Sequence, residues 1–283
     1  MRKLCNLLTI CAAVLAAACK SAPLPAPLPP GQEPAQKTEP AGDAAFMIGA
    51  SIAHADNTWF EMGCEQLGLV PINKADGSGI NIVTDALKLN DGGIWSAGEL
   101  ERFDVLVIMH VHNLEVCNPG EIADDWRSYT VDRSMSYTQA FDYIIRRYID
   151  DCRALEYDSV SKWYGVEGGK PVQILLCTYW HDARVLFNGS IRRLCDRWKG
   201  YAKLCEFDTN IGFTKDEPDP ETGEQISVRY ARNGLNDTEV IDGVVYGWHP
   251  TRGRDAEIQQ RMARIFVDAM GQFDRLMLPQ RDS

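Results

Sequence analysis

The chain has five histidines among 283 residues. They are His54, His110, His112, His181 and His249, and each sits just past an apolar run or just before the last helical pattern. Ser51 lies three residues before the first of them, behind Gly49 and Ala50. Small neighbours leave room for a carbonyl to approach a serine hydroxyl. That hydroxyl needs a base at neutral pH, because it is a poor nucleophile on its own. His249, in Trp248-His249-Pro250, is the candidate base, and its loop can return over the core. Gly79 (through backbone N–H) and Asn113 (through its side-chain amide) are candidate donors to an oxyanion. The bland alternatives are an inert turn serine, a turn glycine, a loop-capping amide and a structural histidine.

His110 and His112 are two residues apart and would share a face of a strand. With His181 and Asp182 on a neighbouring strand end they could ligate zinc, which makes a metal-dependent hydrolase the rival chemistry. No HExxH pattern accompanies them. Otherwise His54, His110, His112, His181 and Asp182 line the pocket or hold a buried hydrogen-bond network.

The elements that must position these groups alternate. Residues 44–50, 104–112, 171–179 and 202–207 are mostly apolar and read as buried strands. Residues 57–67, 80–89, 137–155, 182–198 and 256–278 have helical spacing, with Asp56 or Asn57 as the first cap and Ser96 to Glu99 as a capping box. Strands of this kind alternating with helices predict an α/β domain, a three-layer α/β/α sandwich around a mostly parallel sheet. Ligands in such sheets bind beyond the carboxyl ends of the strands. Ser51 and the histidines fall there.

The order Gly49-x-Ser51, Gly79 after Asn73, Asn113 at a strand end and His249-Pro250 before the closing helix resembles the SGNH (GDSL-type) hydrolase superfamily. The overall wording of the chain also looks like an uncharacterised family of exported bacterial proteins within it. The resemblance spans most of residues 44–283. It implies a flavodoxin-like sandwich, Ser51 as nucleophile, His249 as base, and an oxyanion hole from the Ser51 N–H, Gly79 and Asn113. Three departures stand out. Ala50 replaces the usual aspartate of the first block, and Val111 and Leu114 flank Asn113. Tyr246 stands where the family places an aspartate before the histidine. Asp242 lies further back, as though residues 244–248 had been inserted. It serves as the triad acid if that insert loops out; otherwise a backbone carbonyl or another acid orients His249.

The start of the chain has a different character. Arg2 and Lys3 precede an apolar stretch, 4–18, too short to span a membrane comfortably. It ends in Ala16-Ala17-Ala18-Cys19, so residues 1–18 read as a lipoprotein signal and Cys19 as the lipid anchor. Residues 19–43 are rich in Pro and Ala and read as a tether. The expected setting is the periplasmic or outer face of a bacterial envelope. The net charge of −11 argues against nucleic acid as a partner. Cys64, Cys152, Cys177 and Cys195 sit in apolar patterns and read as core, whereas Cys117 is the candidate for a loop disulfide. Two loops, 118–135 with Trp126 and 212–240 with several prolines and glycines, are expected at the pocket rim.

Together these features predict an exported serine ester hydrolase acting on acyl esters of glycans, with no cofactor. The alternatives are a glycan-binding lipoprotein that has lost its triad, and the metal hydrolase built on His110 and His112.

Overall fold

The computed structural model describes residues 44–77, 80–112 and 115–273. Cys19, the signal and the tether therefore lie outside the described residues, as do Gly79 and Asn113. The chain runs β1 (Ala44–Gly49), α1 (Trp59–Leu67), β2 (Val70–Asn73), α2 (Ile82–Asn90), α3 (Ala97–Arg102), β3 (Phe103–Met109), α4 (Tyr137–Ala154), β4 (Gln173–Cys177), α5 (Val185–Arg197) and β5 (Ala202–Cys205). It continues through α6 (Phe207–Asn210), α7 (Ile226–Arg229), β6 (Thr238–Ile241), β7 (Val244–Gly247) and α8 (Glu257–Met270).

The five strands β1 to β5 form one sheet in the order β2-β1-β3-β4-β5, and every neighbouring pair is parallel. The chain reverses direction across the sheet between β1 and β3, which is where a parallel sheet opens a crevice at its carboxyl edge. Strand β2 carries no apolar run. It is the edge strand Val-Pro-Ile-Asn, where a proline costs no ladder bond because one side of the strand is unpaired.

Right-handed crossovers put α1 on one face and α2, α4 and α5 on the other. The first face is closed by α8, which crosses α1 so tightly that a Cβ on Gly63 would meet the Phe266 ring at 2.3 Å. Trp59 meets Phe60, Phe207 and Phe266 there in edge-to-face contacts. On the second face Phe46 stacks on Phe103 at 4.6 Å, and Trp95 and Tyr148 close around them. Each ring buried in this way contributes about 1.5–3 kcal/mol.

The architecture is the expected α/β/α sandwich. Two local expectations change. All six described cysteines are free and buried, and Cys117 packs into the core beside Val116 instead of bridging a loop. Neither Asp56 nor Asn57 caps α1. Thr58 takes that position at φ +80 with no side-chain bond, and Asn57 is used elsewhere. Among the described residues no helix is long and apolar enough to cross a membrane.

Candidate active site

Ser51 follows β1 in a run of consecutive turns that leads to α1, which begins at Trp59. Gly49 is required for this course. A Cβ there would lie 2.6 Å from the Ala53 Cβ and 2.7 Å from the Met109 carbonyl oxygen on β3. The turn is held from beneath. The Asn57 amide donates to the carbonyls of Ser51 (2.5 Å) and Ile52 (3.1 Å), and the Trp59 indole N–H donates to Ile52 as well. Asn73, at the end of β2, donates to the Ala53 carbonyl at 2.9 Å. These side chains satisfy carbonyls that a turn would otherwise leave unpaired beside the core.

The Ser51 hydroxyl reaches across 198 residues of chain to His249. Its Oγ lies 2.9 Å from Nε2. On the other side of the ring, Nδ1 lies 2.7 Å from Asp237 Oδ1. A carboxylate accepts only, so Nδ1 carries the proton and Nε2 is left to accept from the serine. The second Asp237 oxygen forms an ion pair with Arg232 Nε at 2.8 Å. Asp237 and His249 are mostly buried, with side chains 8% and 18% exposed, so their attraction is weakly screened.

The carboxylate that meets His249 is therefore Asp237, not the expected Asp242. Strands β6 and β7 pair antiparallel, Thr238 opposite Gly247 through Ile241 opposite Val244. Asp242 and Gly243 are the two residues of the connecting turn, at φ +50 and +83, a type I′ geometry. Asp242 sits at the tip of the hairpin. Asp237 precedes its first strand and His249 follows its second, so closing the hairpin brings them side by side. The extra residues do loop out, but they carry Asp242 away with them. One of the two premises of the binding-only reading, a histidine with no acid in reach, does not hold on the same geometry; the other, the altered block at Asn113, has Asn113 and Leu114 outside the described residues.

Further contacts fix the histidine loop. Backbone bonds join Arg232 N–H to the His249 carbonyl and Trp248 N–H to the Asp237 carbonyl, both at 2.9 Å. Gly247 passes so close to Ser227 that a Cβ would lie 2.2 Å from its carbonyl oxygen, while the Ser227 hydroxyl accepts from Gly247 N–H. His181 donates from Nε2 to the Gly247 carbonyl at 2.9 Å and accepts at Nδ1 from Ala183 N–H.

His181 is therefore a buried strut and not a pocket wall. It is fully buried, and that burial pushes its pKa down to about 3, so it is neutral at neutral pH. His110 is also fully buried, with Nε2 2.7 Å from Asp85 Oδ2 on α2. His112 is half-buried, with its pKa lowered to about 4, first by burial and then by the nearby charges of His110, Arg184 and His249. His54 is on the rim, bonded to Asp56 at 2.8 Å, and Asp56 in turn pairs with Arg252 just after the histidine loop. Asp182 turns to the backbone of Lys215, and burial raises its carboxyl pKa. Of the four suggested metal ligands, His181 thus has both ring nitrogens engaged elsewhere and His110 has its Nε2 on Asp85. Among the described residues no three His, Cys, Asp or Glu side chains converge as a metal site needs.

The two loops also part ways. Trp126 donates to Asp150 at 3.0 Å and packs on Tyr143, with Arg127 over its outer face. Asp150 is more than three turns from the start of α4, the end nearest the strand termini, so loop 118–135 is strapped down the helix away from Ser51. Loop 212–240 does reach the site, for it supplies Asp237 and Arg232. Sequence reasoning passed over Asp237, yet a signal existed. Asp-Gly between two runs rich in valine is a hairpin pattern, and the hairpin places Asp237 beside Trp248. A groove of about 530 Å³ between the end of β5 and α8 has no serine, cysteine or histidine in its lining.

A family model described as "Domain of unknown function (DUF5040)" matches residues 44–274. No curated protein matches the chain. Among solved structures, the chain is similar to a protein named as a GDSL-like lipase from Bacteroides ovatus, at 13% identity and TM-score 0.41, over 82% of this chain and 100% of that one. It is also similar to the C-terminal catalytic domain of peptidoglycan O-acetyltransferase A from Streptococcus pneumoniae, at 12% identity and TM-score 0.38, over 82% of this chain and 95% of that one.

Proposed function

The chain belongs to the DUF5040 family, and we propose that it is a serine ester hydrolase acting on acylated glycans. The observation that carries this reading is the continuous hydrogen-bonded path from Ser51 Oγ through the His249 imidazole to Asp237. In the proposed reaction Ser51 Oγ attacks the ester carbonyl while its proton passes to His249 Nε2. Asp237 stabilises the imidazolium that forms. Donors from Gly79 N–H and the Asn113 amide, with Ser51 N–H, hold the oxyanion. Collapse of the tetrahedral intermediate expels the alcohol, which takes the proton from Nε2. Water, activated by the same nitrogen, then releases the acyl group from Ser51.

The glycan setting rests on the expected export of the domain on a tether anchored at Cys19. Mass spectrometry of the mature N-terminus tests that anchor: a diacylglyceryl group on Cys19 is expected. For the chemistry, the purified protein is assayed on p-nitrophenyl acetate and on acetylated oligosaccharides. Turnover that vanishes in Ser51→Ala supports the proposal. Turnover unchanged in Ser51→Ala rejects the serine mechanism, and turnover of the nitrophenyl ester alone rejects the glycan substrate.

A further inference from the structure

Arg184 stands immediately before α5 and is only 10% exposed, yet it is not part of the triad. Its guanidinium makes three hydrogen bonds, one from each nitrogen. Nε and Nη2 hold the two oxygens of Glu239 at 3.1 and 2.6 Å, and Nη1 donates to the Val111 carbonyl. The flat cation lies 4.5 Å over the Tyr179 ring and 5.5 Å over the Trp248 ring. The Tyr179 hydroxyl closes the cluster, its one proton facing two acceptors, Glu239 Oε1 at 2.9 Å and the Trp248 carbonyl at 2.7 Å.

These partners come from the segments that carry the chemistry. Trp248 directly precedes His249. Glu239 is two residues past Asp237 on β6. Val111 lies two residues before Asn113 in the loop that ends β3. One planar group therefore spans the segment of the base, the strand of the acid and the Val111 carbonyl just past β3. The Nε and Nη2 fork is held by Glu239 and the side chain is only 10% exposed, so that fork is not offered to a substrate. Lysine could not replace it, because an ammonium neither grips a carboxylate with two parallel bonds nor stacks as a plane between rings.

We propose that Arg184 is the positioning residue of this site, setting the separation between the His249 loop and the loop after Val111, and so the aim of the His249 ring at Ser51. This rests on the proposed serine hydrolysis. The mechanical consequence is that loosening Arg184 misaligns the proton transfer without removing any group that touches substrate. Misplacement on the ångström scale costs on the order of 10²-fold in rate.

The test compares Arg184→Lys and Arg184→Met with Arg192→Lys, a control on the same helix whose ion pairs to Glu206 and Asp208 are outside this cluster. Two readouts are taken on the full chain. The first is kcat and KM on p-nitrophenyl acetate. The second is the imidazole ¹⁵N spectrum of His249, which reports tautomer and needs no turnover. The expected result is a loss of kcat of roughly 10- to 100-fold in both Arg184 variants with KM within about threefold, and a His249 ring that no longer holds the single Nδ1–H tautomer. Arg184→Lys keeps charge and bulk, so it serves if Arg184→Met does not fold. A parent without turnover, whose His249 tautomer still shifts in Arg184→Lys, rejects the hydrolase reading and supports the positioning role. A tautomer unchanged from the parent, or a loss of kcat matched by Arg192→Lys, overturns the role of Arg184.

Discussion

Asp237 Oδ1 lies 2.7 Å from His249 Nδ1 although twelve residues and a complete hairpin separate the two. The hairpin is what joins acid to base. Asp237→Asn preserves the shape but can present an amide N–H to the ring, which favours the wrong tautomer. A fall in kcat on the order of 10³- to 10⁴-fold is expected, with KM little changed. Asp242→Asn is the internal comparison. Asparagine accepts the positive φ of that turn, so its kcat on p-nitrophenyl acetate is expected to stay within about twofold of the parent. Equal losses in the two variants would reject Asp237 as the acid.

The Gly247 backbone is wedged against Ser227. In Gly247→Ala the new methyl would lie 2.2 Å from a carbonyl oxygen, a separation real atoms do not tolerate. One of the two segments must move, and one of them carries Trp248 and His249. Overpacking of this kind costs about 1–3 kcal/mol, so urea unfolding should show a lower midpoint with an unchanged slope. The ester rate should fall together with stability. A fully active Gly247→Ala would mean that the histidine loop is not fixed from this side.

How much of this was legible in the sequence follows from range. The sandwich was readable because β1, β3 and β4 are apolar at almost every position, and each announces itself locally. Strand β2 was not, since Val-Pro-Ile-Asn derives its identity from a neighbour, β1, and not from its own pattern. Ser51 and His249 were readable because their surroundings, a glycine-led turn and a His-Pro before the last helix, are local features. Asp237 was hidden because its role depends on pairing between β6 and β7. The same holds for Arg184 and Glu239, which meet only once α5 and the hairpin are in place. Asn57 was misassigned for a related reason. Its short polar side chain suits a helix cap, but the Ser51 and Ile52 carbonyls needed a donor more than α1 needed an acceptor.

That assignment gives a prediction at the nucleophile. Asn57→Ala removes the donor to the Ser51 carbonyl, while the Ile52 carbonyl keeps the Trp59 indole and Ser51 itself is intact. Buried carbonyls without partners cost about 1–3 kcal/mol. The thermal midpoint should drop, and kcat should fall more than KM rises because the Ser51 turn loosens. Asn57→Asp retains the size but cannot donate, and it should be at least as damaging. Loss of stability without any change in kcat would confine Asn57 to a folding role.

Trp126 tests the fate of the first loop. An exposed tryptophan among acids is a reasonable sugar platform, but here its indole N–H is bound to Asp150 and its ring rests on Tyr143. Trp126→Ala is therefore expected to lower stability by about 1–3 kcal/mol through lost packing. KM for acetylated oligosaccharides should remain within about twofold of the parent. A large rise in KM with stability unchanged would return loop 118–135 to the substrate site.

His181 links the site to pH. Its pKa falls to about 3 in the folded protein because it is fully buried, whereas an unfolded histidine titrates near 6.5. Above about pH 6.5 both states are neutral and the contribution to stability is complete. Below that, the unfolded chain binds a proton that the folded chain refuses until about pH 3. Stability is therefore lost as pH falls, by about 1.4 kcal/mol per unit across that window. His112, lowered to about 4, acts in the same sense over a shorter window. The buried Asp142, Asp182 and Asp208 carboxyls, raised by desolvation, act in the opposite sense. Comparing parent and His181→Gln by urea unfolding at several pH values isolates the histidine. The variant is expected to be less stable at pH 7, having lost a well-aimed donor to the Gly247 carbonyl, and the gap should close as pH falls toward 4. A gap that widens on acidification would show that His181 is charged in the folded state.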